Sequence, residues 1–179
     1  VDIKCRKTDT MDNGGFCNMM KLSEKLEKAL NEQVRFEYEA AAVYNGMRIY
    51  LEDLGAPGAT NWMTKQVHEE FEHAQDFIDF IQEVDGEVKS IGSIPEVPCE
   101  YDGLLGVWEA GLEHEKEISA SIRNILEIAI EEKHYAAENF LRTYIDEQVE
   151  EEDNFRGVIE MIKLAVDEEG IMDKGAMFK

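Results

Sequence analysis

Read in steps of seven, four stretches of this chain give the same interrupted stripe. The first is Leu30, Glu37, Tyr44, Leu51 and the second Met63, Glu70, Phe77, Val84. The third is Trp108, Glu115, Ile122, Ala129 and the fourth Tyr144, Glu151, Val158, Ala165. A seven-residue apolar repeat is what a helix shows when it buries one face. Val67, Ala74 and Ile81 flank the second stripe, and Phe155 and Ile162 flank the fourth. Each stripe nevertheless carries a glutamate at mid-length. One such glutamate has ordinary explanations, such as an arginine partner or a tilted helix. Four do not, because Lys and Arg are nearly absent from the stripes. The carboxylates would repel one another, and each would resist leaving water as an anion. A bound cation removes both objections. His73 follows Glu70 by one helical turn, so Glu70-x-x-His73 can offer an oxygen and a nitrogen to one metal.

Punctuation along the chain sets the helix limits. Only Pro57, Pro95 and Pro98 interrupt it, so long stretches are free of the residue that breaks helices. A first helix is expected from an N-cap at Ser23 to Asp53, stopped by Gly55, Pro57 and Gly58. A second is expected over 61–85, ending at Gly86. Residues 86–102 carry no helical pattern. Two more helices are expected over 104–132 and 135–167, with a tight break at Lys133-His134. The seventeen linking residues reach about 56 Å if extended, whereas the second helix is only about 36 Å long. The linker can therefore cross the whole bundle. The expectation is an all-α four-helix bundle with one long crossover between the second and third helices; an up-down-up-down bundle is the alternative.

The ligand set comes in two halves. Glu37 precedes Glu70 by 33 residues and Glu115 precedes Glu151 by 36, so each hairpin gives one lone glutamate and one further group. Two half-sites imply two metals. Many oxygens with one nitrogen suit iron or manganese better than thiolate-seeking metals, although ligand type alone also admits zinc.

Composition narrows the function. With 18 basic against 40 acidic residues the net charge is −22, which opposes nucleic-acid binding. At 44% hydrophobic residues the chain can still bury a core, and one domain is expected. No apolar run approaches the roughly 20 residues of a membrane span. Cys5 and Cys17 lie in an unpatterned leader, leaving Cys99 alone in the rest of the chain, so a reducing, cytoplasmic setting is expected. Residues 1–19 read as a processed leader or an appended remnant and 20–179 as the folded domain.

These residues resemble the bacterial non-haem ferritins over nearly all of 20–178. The resemblance rests on Asn31-Glu32-Gln33-Val34-Arg35-Phe36-Glu37, His68-Glu69-Glu70-Phe71-Glu72-His73, His114-Glu115 and the run from Tyr144 to Glu152, in that order. It implies a ferritin-like bundle, assembly into a hollow 24-subunit shell, oxidation of Fe(II) by dioxygen and storage of ferric mineral. It further implies that Glu37, Glu70 and His73 hold one iron and that Glu70 bridges to a second, completed by Glu115 and Glu151. Tyr44 would stand beside the centre and Gln148 beside the second iron. Glu69, Glu147 and Glu150 match a third iron position of bacterial members.

The departures from related families are informative. Rubrerythrins and bacterioferritins carry a second E-x-x-H on the last helix, but Glu150 and Asn154 stand three residues after Glu147 and Glu151. Phe71 occupies the place of the methionine that ligates haem in bacterioferritins, so no haem is expected. Thr143 replaces a tryptophan that many relatives carry before Tyr144. The family's short fifth helix, which lines four-fold pores, would begin at about Lys179.

The expected function is thus a ferroxidase and iron store. The rival is a bundle that buffers divalent metals without redox turnover, and a minor alternative is a di-iron oxygenase acting on an organic substrate. His68 and His114 lie off the glutamate faces and are not expected to be ligands, while His134 has no assigned role. Met47, Met63 and Met161 fit apolar stripes and are expected in the core.

Overall fold

A computed structural model describes residues 21–165. The expectations for the leader, Cys5, Cys17 and the end of the fourth helix fall outside that range. Four helices make up the fold: α1 Glu24–Asp53, α2 Pro57–Glu83, α3 Gly103–Glu131 and α4 Tyr135–Ala165. The described chain is all-α.

Local chemistry explains the boundaries. Ser23 caps α1, its hydroxyl accepting from the Leu26 amide at 3.0 Å. The helix closes at Gly55, whose φ of 75° suits a residue without Cβ, and the Ala56 amide returns to the Leu51 carbonyl. The second helix begins four residues before the expected Asn61. Pro57 and Gly58 do not prolong the break: Pro57 sits in the first turn of α2, where its missing N–H has no partner to lose. Asp85 and Lys133 adopt the left-handed conformation that ends α2 and α3, with φ of 59° and 55°. His134 then caps α4, its Nδ1 accepting from the Ala137 amide at 3.1 Å.

The strand-free link of 84–102 runs along α1. Lys89 pairs with Glu27 near the start of α1, and Pro98 lies against Gly46, where a Cβ would come within 2.5 Å of its carbonyl oxygen. The Tyr50 hydroxyl accepts from the Gly103 amide at 3.0 Å, and the Ser23 hydroxyl donates to Glu132 at 2.8 Å. The end of α1 therefore meets the start of α3, and its start meets the end of α3. Since α1 and α2 form an antiparallel hairpin, α2 and α3 are parallel. This is the single-crossover topology.

Two aromatic clusters fill the core above and below mid-height. Trp62, Trp108, Phe155 and Tyr44 pack at one level, and Phe77, Phe80, Phe140 and Tyr144 at the other. Met47 and Met63 are buried as expected. Met161 is not: it is 49% exposed, because its side chain falls one step off the stripe that Ile162 occupies. No helix among the described residues is long and apolar enough to cross a membrane.

Candidate metal centre

Between the aromatic clusters each helix contributes one glutamate. Glu37 comes from α1, Glu70 from α2, Glu115 from α3 and Glu151 from α4, and all four are buried, the most accessible being Glu151 at 8%. The apolar repeat accounts for this, since the residues seven positions either side of each glutamate are buried in the core, apart from the partly buried Val158 that packs against it.

One ligand atom from each of Glu37, Glu70 and His73 lies within 4.8 Å of the others. A second group of the same tightness contains Glu69, His73 and Glu147, so His73 belongs to both. Its Nδ1 faces Glu70 Oε2 and its Nε2 faces Glu147 Oε1, each at 3.3 Å. Glu115 and Glu151 lie outside these two groups but act electrostatically on the same interior: Glu151 is one of the charges that push the Glu115 carboxyl up, and Glu69 and Glu147 act on Glu151. Glu150 is exposed and takes part in neither group.

Partners hold most of the carboxylates. The Tyr44 hydroxyl donates to Glu115 Oε1, and Gln148 Nε2 donates to Glu115 Oε2 at 2.9 Å. Gln66 Nε2 donates to Glu151 Oε2 at 3.2 Å, and Gln33 Nε2 to Glu37 Oε1 at 2.8 Å. Glu37 Oε2 is buried without any hydrogen-bond partner. Gln33 and Gln66 were not singled out in the sequence. A signal was available: each is a polar residue one turn before a stripe glutamate, at Glu37 minus four and Glu70 minus four, where an apolar side chain would be expected.

The electrostatics are those of a site built for cations. Burial pushes the Glu70, Glu115 and Glu151 carboxyls up to about 7 and holds Glu37 well above the usual carboxylate range. Burial alone would lower the His73 imidazole, but hydrogen bonds with Glu147 and Glu70 and the charges of Glu70 and Glu37 raise it to about 11. Both ring nitrogens face carboxylate oxygens, so in the metal-free protein the ring is an imidazolium donating to both. A divalent cation bound between these oxygens would take the place of those protons.

The other histidines behave differently. His68 is exposed. His114 packs edge-on against Phe36 and Tyr44, and burial lowers its imidazole. Its Nδ1 lies 4.0 Å from Glu117 Oε2, and it belongs to neither of the two potential ligand groups.

A bundle of this topology, with carboxylates and one histidine converging at mid-height, defines a ferritin-like protein. Residues 27–165 match the family model described as ferritin-like domain, and the chain belongs to that family. Among its relatives is the bacterial non-heme ferritin of Bacteroides fragilis strain 638R, 38% identical over 146 residues that cover 82% of this chain and 91% of that protein. The bacterial non-heme ferritin of Campylobacter jejuni is 35% identical over 143 residues, covering 80% and 85%. Among solved structures, the open-pore ferritin of the hyperthermophilic archaeon Archaeoglobus fulgidus superposes with a TM-score of 0.80 at 37% identity, covering 84% of this chain and 91% of that one.

Proposed function

We propose that this chain stores iron and is a ferroxidase, oxidising Fe(II) with dioxygen at a dinuclear centre. The observation that carries the reading is the burial of one glutamate per helix around the tight group of Glu37, Glu70 and His73. Fe(II) is the substrate. Glu37, Glu70 and His73 hold the first ion. Glu70 also reaches the second, which Glu115 and Glu151 complete, at a separation of about 3.5–4 Å as in two-metal sites generally.

Each Fe(II) gives one electron to dioxygen, which leaves at the level of peroxide after taking up two protons. Anionic oxygens favour the higher charge of Fe(III), so the ligand set makes the metal easier to oxidise. Tyr44 and Gln148 hold Glu115 in place by donating to its two oxygens. Product passes out by way of Glu69 and Glu147, which share His73 with the first position, and then the exposed Glu150. There Fe(III) hydrolyses to mineral in the cavity of a homo-oligomeric shell of 24 subunits. A net charge of −22 draws cations toward the assembly. The setting is cytoplasmic, with no haem, nucleic acid or membrane involved.

The test is aerobic addition of Fe(II) to the metal-free protein. Wild type gives a fast ferric absorbance rise with oxygen uptake and retains many ions per chain. Glu70→Ala combined with His73→Ala nearly abolishes the fast rise. Wild-type kinetics in that variant contradict the site. Stoichiometric metal binding without oxygen uptake would instead identify a metal buffer.

A further inference from the structure

Glu37 stands apart from the other three stripe glutamates because its second oxygen is shut away from solvent and has no hydrogen-bond donor. Gln33 Nε2 donates to Oε1 at 2.8 Å, while Oε2 has no partner and no contact with solvent. Leaving a buried carboxylate oxygen unpaired is unfavourable, so the arrangement calls for a use.

Gln33 is itself completely buried, and an amide can present either end to its neighbour. The Glu37 carboxylate, which can only accept when ionised, settles which end faces it, and Ser121, on α3, answers at the other end. The amide nitrogen is turned toward Glu37, which leaves Gln33 Oε1 to accept from the Ser121 hydroxyl. With the amide reversed, its oxygen would oppose the carboxylate oxygen and the serine would have to accept. The hydrogen bonds therefore run in one direction, from the half-buried Ser121 through Gln33 to Glu37. Donors aligned in this way polarise one another and favour a negative carboxylate at the end of the chain. The link also ties α1 to α3 one turn away from the metal groups.

Building on the proposed metal centre, we propose that Gln33, aligned by Ser121, is a positioning residue for the first metal position: it pins Glu37 through Oε1 and reserves Oε2 for the cation. Gln33 does not touch the ion. It acts through Glu37, as residues behind metal ligands do when they fix a ligand's orientation. The same logic makes Gln148 and Tyr44 the holders of Glu115, but both oxygens are engaged there, so the Glu37 arrangement is the more directional.

The test uses Co(II), a redox-silent stand-in for Fe(II), titrated anaerobically into the full-length metal-free protein. Calorimetry and the visible absorption of bound Co(II) read the result, and circular dichroism confirms that each variant is folded. Wild type takes up two ions per chain at the centre. Gln33→Met, which keeps the volume and removes the donor, weakens one of the two by about 10–100-fold and leaves the other unchanged. Ser121→Ala, at a half-buried position that tolerates truncation, weakens the same ion by a smaller factor. In a Glu37→Ala background Gln33→Met brings no further loss, since its effect passes through Glu37.

Wild-type Co(II) affinity in Gln33→Met overturns the inference while leaving the metal centre intact. So does a full further loss in the Glu37→Ala background, which would mean that Gln33 acts on the fold. A wild-type protein that takes up no Co(II) at the centre overturns the reading of the site, and this inference with it.

Discussion

The Tyr44 phenol, on α1, donates to Glu115 Oε1, on α3, and both groups are almost wholly buried. The bond joins the upper aromatic cluster to the metal centre, because the Tyr44 ring stacks on Phe155 with centroids 5.9 Å apart. Tyr44→Phe keeps the ring and deletes the donor. Glu115 retains Gln148, so the expected loss in the metal-free protein is about 1–2 kcal/mol. Chemical denaturation at fixed pH measures it. The second metal ion should bind more weakly in the same variant, with the first unchanged. Equal loss at both positions would mean that Tyr44 supports the bundle as a whole.

The buried carboxylates make metal-free stability depend on pH. Glu70, Glu115 and Glu151 titrate near 7 when folded, well above their usual range, because burial penalises the charged form. Their favourable contribution is complete below about pH 4.5 and is lost as pH rises through about 7. His73, raised to about 11, adds a contribution present below about pH 6.5 and lost through about 11. Both trends run the same way, and together these four groups outweigh His114, whose lowered imidazole adds stability as pH rises toward 6.5. The melting temperature of the metal-free protein is therefore expected to fall between pH 5 and 8, while Zn(II) flattens the dependence. Glu115→Gln removes one titrating group and should reduce the slope. A melting temperature that rises over this range contradicts the burial of charged carboxylates.

Gly111 on α3 lies under the Phe155 ring, and a methyl group there would overlap it. Phe155 also packs on Trp62 and Trp108, with centroids 5.0 and 5.5 Å away, so it cannot move alone. Alanine improves helix propensity by up to about 1 kcal/mol relative to glycine, but overpacking is unfavourable by about 1–3 kcal/mol. Gly111→Ala is expected to lower stability by up to about 2 kcal/mol net. Increased stability by thermal denaturation would show that the ring has room to move.

Assembly is tested by size. A chain of 20.5 kDa in a 24-subunit shell gives a particle of about 490 kDa. Size-exclusion chromatography with light scattering is expected to find a particle of several hundred kilodaltons. A monomer or dimer would favour the buffering alternative.

Much of this architecture can be read in the sequence because its signals are periodic. A stripe repeated every seven residues defined four helices, and the length of the link between the second and third chose the crossover. Ser23 and Asp53 bounded α1 as the capping chemistry suggested. The start of α2 was misplaced because Pro57 and Gly58 read as breakers, whereas a proline in a first helical turn favours the helix. Met161 lies one turn after Val158 of the fourth stripe, but a period of seven drifts along a straight helix, and near the end of α4 the buried positions are Ile159 and Ile162, not Val158 and Met161. At the centre, the stripe glutamates and His73 were legible because a charge in an apolar row is conspicuous. Gln33 and Gln66 were not, since neutral polar residues stand out less and their partners lie on neighbouring turns or other helices. Only packing brings Ser121 to Gln33 across 88 positions of sequence.

The most direct measurement is anomalous X-ray scattering at the iron edge from crystals loaded anaerobically with Fe(II). Two strong peaks inside each subunit are expected, one against Glu37, Glu70 and His73 and the other against Glu70, Glu115 and Glu151. Iron found only at exposed carboxylates, with none among the four buried glutamates, would contradict the claim that paired cations hold these charges in the core.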